Sequence, residues 1–158
     1  VREMVIAVGA DHEGFCLKTL VVEFLKKLKH EVNDLGTYNE DPVDYPDYTR
    51  AVSEAILSKK AERGILICGS AVGVCVAANK FPGIRAAICH DTFSARQSIK
   101  DDNINVLCLG AMVIGPELAK EIVNVWLSAT FSMAERHNRR LAKVAEIEKE
   151  FIMGRGSE

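Results

Sequence analysis

The chain has 158 residues, of which 48% are hydrophobic, 27% charged and 6% aromatic, a balance that excludes a disordered polymer and leaves one globular domain as the expectation. Its formal net charge of -2 removes the positive field on which non-specific binding to nucleic acid or an anionic membrane depends. No stretch approaches a membrane span and the apolar run Met4–Val8 is too short for a secretory signal, so a cytoplasmic protein with no nucleic-acid or membrane partner is expected.

Met4–Val8 reads as the first strand, and Leu17, Leu20, Val21, Phe24, Leu25 and Leu28 then recur at helical spacing. Glu31–Leu35, Gly64–Cys68, Ile84–Cys89 and Asn105–Leu109 read as four more strands. Helical patterns over Tyr48–Leu57, Val72–Asn79, Thr92–Lys100 and Pro116–Trp126 alternate with them. Continuously apolar strands are buried on both faces, so the pattern predicts an α/β fold: a Rossmann-like three-layer α-β-α sandwich on a five-stranded parallel sheet. The strand order is not fixed by the sequence. An extra C-terminal helix from Met133 to about Ile152 carries Leu141, Val144, Ile147 and Phe151 on one stripe, and such a stripe needs a partner surface, for which a second subunit is the natural candidate. Residues 1–152 are expected to form the single domain and 153–158 a disordered tail.

Five cysteines, Cys16, Cys68, Cys75, Cys89 and Cys108, are odd in number and lack C-x-x-C spacing, which indicates a reducing compartment and no disulfide framework. No cysteine and histidine set has zinc spacing, so no metal is expected. In an open parallel sheet the ligand crevice lies at the carboxyl ends of the strands. There the chain carries Asp11-His12-Glu13-Gly14, Cys68-Gly69-Ser70-Ala71-Val72-Gly73 and His90-Asp91. Cys68 closes a strand at a helix start, a position that favours thiolate and so a base or nucleophile; equally, Cys68 is read as a small buried hydrophobe on a plain turn. The loop is neither a Walker A sequence nor a G-x-G-x-x-G fingerprint. Asp11 and His12 supply a carboxylate and an imidazole, or a helix cap and an incidental histidine. Arg136 and Arg140, four apart, share a helix face suited to a phosphate or simply to solvent. Tyr45-Pro46 lines the pocket or starts a helix.

Together with Lys18, Asp34-Leu-Gly36-Thr37, Val43-Asp44-Tyr45-Pro46, Ala78-Asn79-Lys80, Gly83-Ile-Arg85-Ala86, Asn105-Val106-Leu107 and Arg136-His137, these residues resemble the ribose-5-phosphate isomerase B and galactose-6-phosphate isomerase family, to about Phe151. The resemblance implies an aldose-ketose isomerase of a phosphorylated sugar that uses no cofactor and works as a homodimer or tetramer with sites shared between subunits. On this pattern Cys68 carries the proton between C1 and C2, and Ser70 with the amides of Gly69, Ala71, Val72 and Gly73 stabilises the enediolate. Asp11, His12, Tyr45, Asn79 and Asp102 match substrate-binding positions, and Arg136 and Arg140 match the phosphate site. Ribose 5-phosphate, a pentose phosphate pathway substrate, is the leading expectation.

The chain departs from the pattern at three places. Asp101-Asp102 stand where a His-Asn pair is usual, the His being the acid that opens the sugar ring. Met112 stands for a further phosphate-site arginine, and Ala71 for a loop glycine. Asp101 or His90 is then the candidate proton donor. Alternatively the substrate is an open-chain tetrose or tetrulose phosphate of the erythrulose 4-phosphate type, which needs no ring opening, or the protein is a non-catalytic phosphosugar-binding module.

Overall fold

The computed structural model describes residues 1–154. Strands β1 (Val5–Ala10), β2 (Glu31–Asp34), β3 (Arg63–Cys68), β4 (Ala86–Ile88) and β5 (Val106–Gly110) alternate with helices α1 (Phe15–Lys27), α2 (Tyr45–Leu57), α3 (Val72–Ala78), α4 (Thr92–Asp102) and α5 (Pro116–Ser128). A sixth helix, α6 (Glu135–Glu148), runs into a π turn over Lys149–Met153. Residues 155–158 of the expected tail lie outside the described residues.

The five strands are all parallel in the order β2-β1-β3-β5-β4. Alternate residues of the central strands feed two cores, as a side-chain period of two requires. Ile6, Val8, Ile65, Ile67, Leu107 and Leu109 pack with α1, α4 and α5, where Trp126 is fully buried. Ala7, Leu66, Cys68, Val106 and Cys108 pack with α2 and α3 on the other face. The three-layer α/β architecture is therefore the one the sequence pattern implies.

Boundaries differ where burial and pairing part company. Ile84 and Cys89 are 3% and 2% exposed but lie outside β4, because this edge strand has only β5 to pair with. Helix α2 begins at Tyr45, earlier than its apolar spacing suggests, because Pro46 sits in its first turn with its backbone preset for helix. Buried Lys18 reaches from α1 to Asp34 at the end of β2, 2.6 Å from its carboxylate, and lies beneath the rings of Phe15 and Tyr38. This ion pair fixes α1 against the sheet next to the β1 turn.

Candidate active site

Strand order reverses beside β1, whose chain leaves first to β2 on one side and then to β3 on the other. The crevice between the turns after β1 and β3 is where such sheets bind ligands. Gly14 packs so closely on β3 that a Cβ there would lie 2.3 Å from the Ile67 carbonyl oxygen. The β1 turn is thus pressed onto the end of the strand that carries Cys68. On the other side the β5 turn is clipped to the same loop: Ala111 N–H donates to the Cys68 carbonyl at 2.8 Å and Met112 N–H to that of Gly69 at 3.0 Å.

Within this frame Cys68 is 5% exposed and its Sγ accepts the Ala71 N–H at 3.2 Å, a contact that a thiolate takes up more strongly than a thiol. Ser70 Oγ accepts the Val72 N–H at 3.2 Å, leaving its own hydrogen to donate outward. The Ala71 and Val72 amides are therefore engaged inside the loop. Gly69 and Ser70 retain N–H groups with no acceptor among the described residues. Ala71 adopts φ 71°, the left-handed conformation glycine takes without penalty, so replacing the expected glycine here is more than a change of size. Tyr45 lies over Gly73, where a Cβ would approach its ring to 2.7 Å.

His12 Nδ1 accepts the Val43 N–H at 3.1 Å, so Nε2 carries the proton. Asp11 Oδ1 accepts the N–H groups of Glu13 and Gly14, both at 3.0 Å, and holds the turn. His90 Nε2 accepts the Gly110 N–H at 2.9 Å; burial pushes its pKa down, and its neighbour Asp91 only partly opposes this. His90 is a neutral imidazole bonded to the backbone.

The remaining candidates are elsewhere. Cys68 pairs with Gly110 at the carboxyl end of β5, whereas Gly64 pairs with Val106 at its start, and Asp101 and Asp102 precede that start. A five-residue strand separates the two ends by roughly 15 Å. At the far end Asp101 accepts the Gln97 amide at 2.6 Å and lies 3.5 Å from His137 Nε2, which ties α4 to the start of α6. Arg136 and Arg140 are exposed there without a carboxylate partner among the described residues, while Arg139 is paired with Glu135. Asn79 and Asp102 line a cavity of about 720 Å³ under α6 whose lining does not include Cys68. The Asn79 amide is bonded to both backbone groups of Ala86. Within one chain the structure brings together Cys68, Ser70, Asp11, His12, Tyr45 and His90, but not Asp101, Asp102, Asn79, Arg136 or Arg140.

Two features went unread in the sequence. Glu13 places its carboxylate in the space a side chain at Gly69 would fill, with Oε2 2.2 Å and Cδ 3.1 Å from a Cβ built there, and Met112 Sδ at 3.4 Å; a glutamate at a helix start gives no sequence signal. Cys75, expected only to pack, has its pKa held down at about 7, chiefly by the neighbouring Cys108 thiol. No group of three metal-ligating side chains occurs among the described residues, and no helix there is long and apolar enough to cross a membrane.

A doubly wound sheet with a cysteine-bearing loop at its switch point, and with paired arginines on an appended helix, defines a small α/β enzyme of the sugar-phosphate isomerase class. The chain belongs to the Ribose/Galactose Isomerase family, which it matches over residues 6–144, and is an isomerase of the ribose-5-phosphate isomerase B type. It is 44% identical to ribose-5-phosphate isomerase B of Escherichia coli over 144 residues, 91% of this chain and 96% of that protein. It is 47% identical to D-erythrulose-4-phosphate isomerase of Pectobacterium atrosepticum over 130 residues, 80% of this chain and 84% of that one. The solved structure of ribose-5-phosphate isomerase B from Clostridium thermocellum superposes with a TM-score of 0.92 at 47% identity, covering 94% of this chain and 99% of that one.

Proposed function

We propose that the protein interconverts an aldose phosphate and its ketose through a cis-enediolate, with Cys68 as the base, at a site completed by a second copy of the chain. Cys68 Sγ takes the proton from C2 of the aldose and returns it to C1. The free Gly69 and Ser70 N–H groups and the Ser70 hydroxyl face the developing negative oxygen. Only part of the 69–73 loop serves this purpose, since two of its amides are already engaged. His12 Nε2–H donates to a sugar hydroxyl, and Tyr45 forms a wall.

The phosphate needs free cations, and Lys18, beside the β1 turn, is buried and paired with Asp34. Arg136 and Arg140 present paired guanidinium groups, and the separation of the two half-sites supports their delivery, with Asp102, from a partner. Val72, Val76, Met112 and Phe93 leave 54%, 57%, 80% and 69% of their surface exposed near the Cys68 end, and Val144 and Ile147 leave 53% and 59% exposed on α6. These apolar surfaces are what a symmetric pair of chains would bury.

The observation that carries the substrate assignment is that neither candidate for the ring-opening acid, Asp101 or His90, is free to act. Asp101 accepts a hydrogen bond from Gln97 and faces His137, and His90 is neutral with Nε2 bonded to Gly110. An aldopentose 5-phosphate closes through O4 onto C1 and must be opened, whereas in a tetrose 4-phosphate O4 is esterified. This favours an open-chain tetrose phosphate, in keeping with the relative named for erythrulose 4-phosphate. Ribose 5-phosphate is the second reading, favoured by the names of other relatives and structural neighbours. Rates on erythrose or erythrulose 4-phosphate and on ribose 5-phosphate decide between them. A large preference for ribose 5-phosphate sinks the open-chain assignment, and sugar-phosphate binding without turnover on either would indicate a binding module.

A further inference from the structure

Aldose-ketose conversion moves two protons: one between C1 and C2, and one between O2 and O1. Cys68 accounts only for the first. The second needs a group that accepts a proton and gives it back, and most polar side chains at this end of the sheet are already committed. Asp11 is 6% exposed and its Oδ1 holds two backbone N–H groups. His12 and His90 each use one ring nitrogen as acceptor for a backbone N–H, and Ser70 Oγ already accepts from Val72. Glu13 differs: its carboxylate is exposed, has no hydrogen-bond or ion-pair partner among the described residues, and lies against Gly69, the residue that follows Cys68. Only the missing side chain at Gly69 gives it that place.

Resting on the isomerase reading above, we infer that Glu13 carries the hydroxyl proton between O2 and O1 of the enediol. One carboxylate oxygen takes the O2 proton as the C2–O2 bond gains carbonyl character, and the same carboxyl group protonates O1 as C1 receives its proton from Cys68. No net charge, oxidant or co-reactant is required. The two oxygens of a carboxylate span the two oxygens of a cis-enediol, so the transfer needs no large movement of the side chain. The assignment also removes an electrostatic conflict: a bare enediolate beside a bare carboxylate is unfavourable, whereas a proton held between them makes the pair an enediol and a carboxylate or an enediolate and a carboxylic acid.

The test is Glu13→Gln, which keeps shape and loses the capacity to take up and release a proton, with Glu13→Asp as the conservative variant. Each is assayed in deuterium oxide for net isomerisation and for exchange of the C2 hydrogen of the aldose, using the better of the two sugar phosphates. For Glu13→Gln the kcat for isomerisation is expected to fall by about 100-fold, at the lower end of what a positioned acid-base group contributes. KM should change little and C2 exchange should persist, because Cys68 still removes and returns its proton; Glu13→Asp should recover part of the loss. A Glu13→Gln kcat within about threefold of the parent, or exchange and isomerisation falling in parallel, overturns the assignment. Absence of both C2 exchange and ketose formation in the parent enzyme is a different failure, since it removes the isomerase reading on which this assignment rests.

Discussion

Two histidines, His30 buried and His90 half-buried, accept backbone N–H groups and hold their neutral form. His30 Nδ1 accepts from Met4 at 3.2 Å. Burial is the main cause lowering its pKa below the ordinary 6.5, helped by the N-terminal ammonium and Arg63 and opposed by Glu3. His90 behaves in the same way. As pH falls through 6.5 the unfolded chain takes up these protons before the folded one does, so the stability they contribute is full above that pH and declines below it. Unfolding free energy measured by denaturant titration is therefore expected to decrease from pH 7.5 to 5.5, with a shallower decline in His30→Gln. An unchanged slope in that variant would contradict the assignment. The place of Cys68, Asp11 and His12 at the carboxyl end of the sheet was legible because each lies at or just after the end of a strand. Glu13 was not, since its significance depends on the empty side-chain position at Gly69, a contact between residues 56 positions apart in sequence.

Among the elements, α3 shows how a local backbone choice shapes the site. Its first turn is entered through Ala71 in a left-handed conformation, which costs about 1–2 kcal/mol for an L-residue. Against that, the Ala71 methyl is fully buried and contributes roughly 0.8 kcal/mol. Strain and burial nearly offset, so Ala71→Gly is expected to change stability by less than about 1 kcal/mol, in the stabilising direction. A loss above about 2 kcal/mol in thermal or denaturant unfolding would show that the methyl matters more than this balance allows. The strands and helices themselves were largely readable from the apolar pattern, since the central strands are buried on both faces and the helices on one. Their ends were less so: the early start of α2 at Tyr45 comes from Pro46, and the shortness of β4 from its position at the sheet edge. The strand order depends on contacts that no single segment encodes.

At the scale of the whole molecule, the separation of Cys68 from Arg136 and Arg140 makes a specific claim about assembly. If each site takes its base from one chain and its phosphate cations from another, Cys68→Ala and Arg140→Ala chains are each impaired alone, yet a mixed pair contains one intact site. Co-expression of the two is expected to restore activity toward about a quarter of the parent level if the chains pair at random as two-fold dimers. Mixtures no more active than the sum of their parts would place both groups in one chain's site. The sequence suggested the shared site only through family resemblance, because nothing in the spacing of residues 68 and 140 tells which end of the sheet each occupies. The parallel register of β3 and β5, with the His137–Asp101 contact that ties α6 to the end of α4, supplies that information.

The central claim, a sugar-phosphate isomerase whose carbon acid is deprotonated by Cys68, is tested most directly by proton exchange. Erythrose 4-phosphate and ribose 5-phosphate are each incubated with the parent protein and with Cys68→Ala in deuterium oxide, and the C2 hydrogen is followed by NMR. The account predicts deuterium at C2 and ketose formation with the parent protein, and neither with Cys68→Ala, which still binds the substrate. Exchange and turnover at an undiminished rate in Cys68→Ala would contradict it.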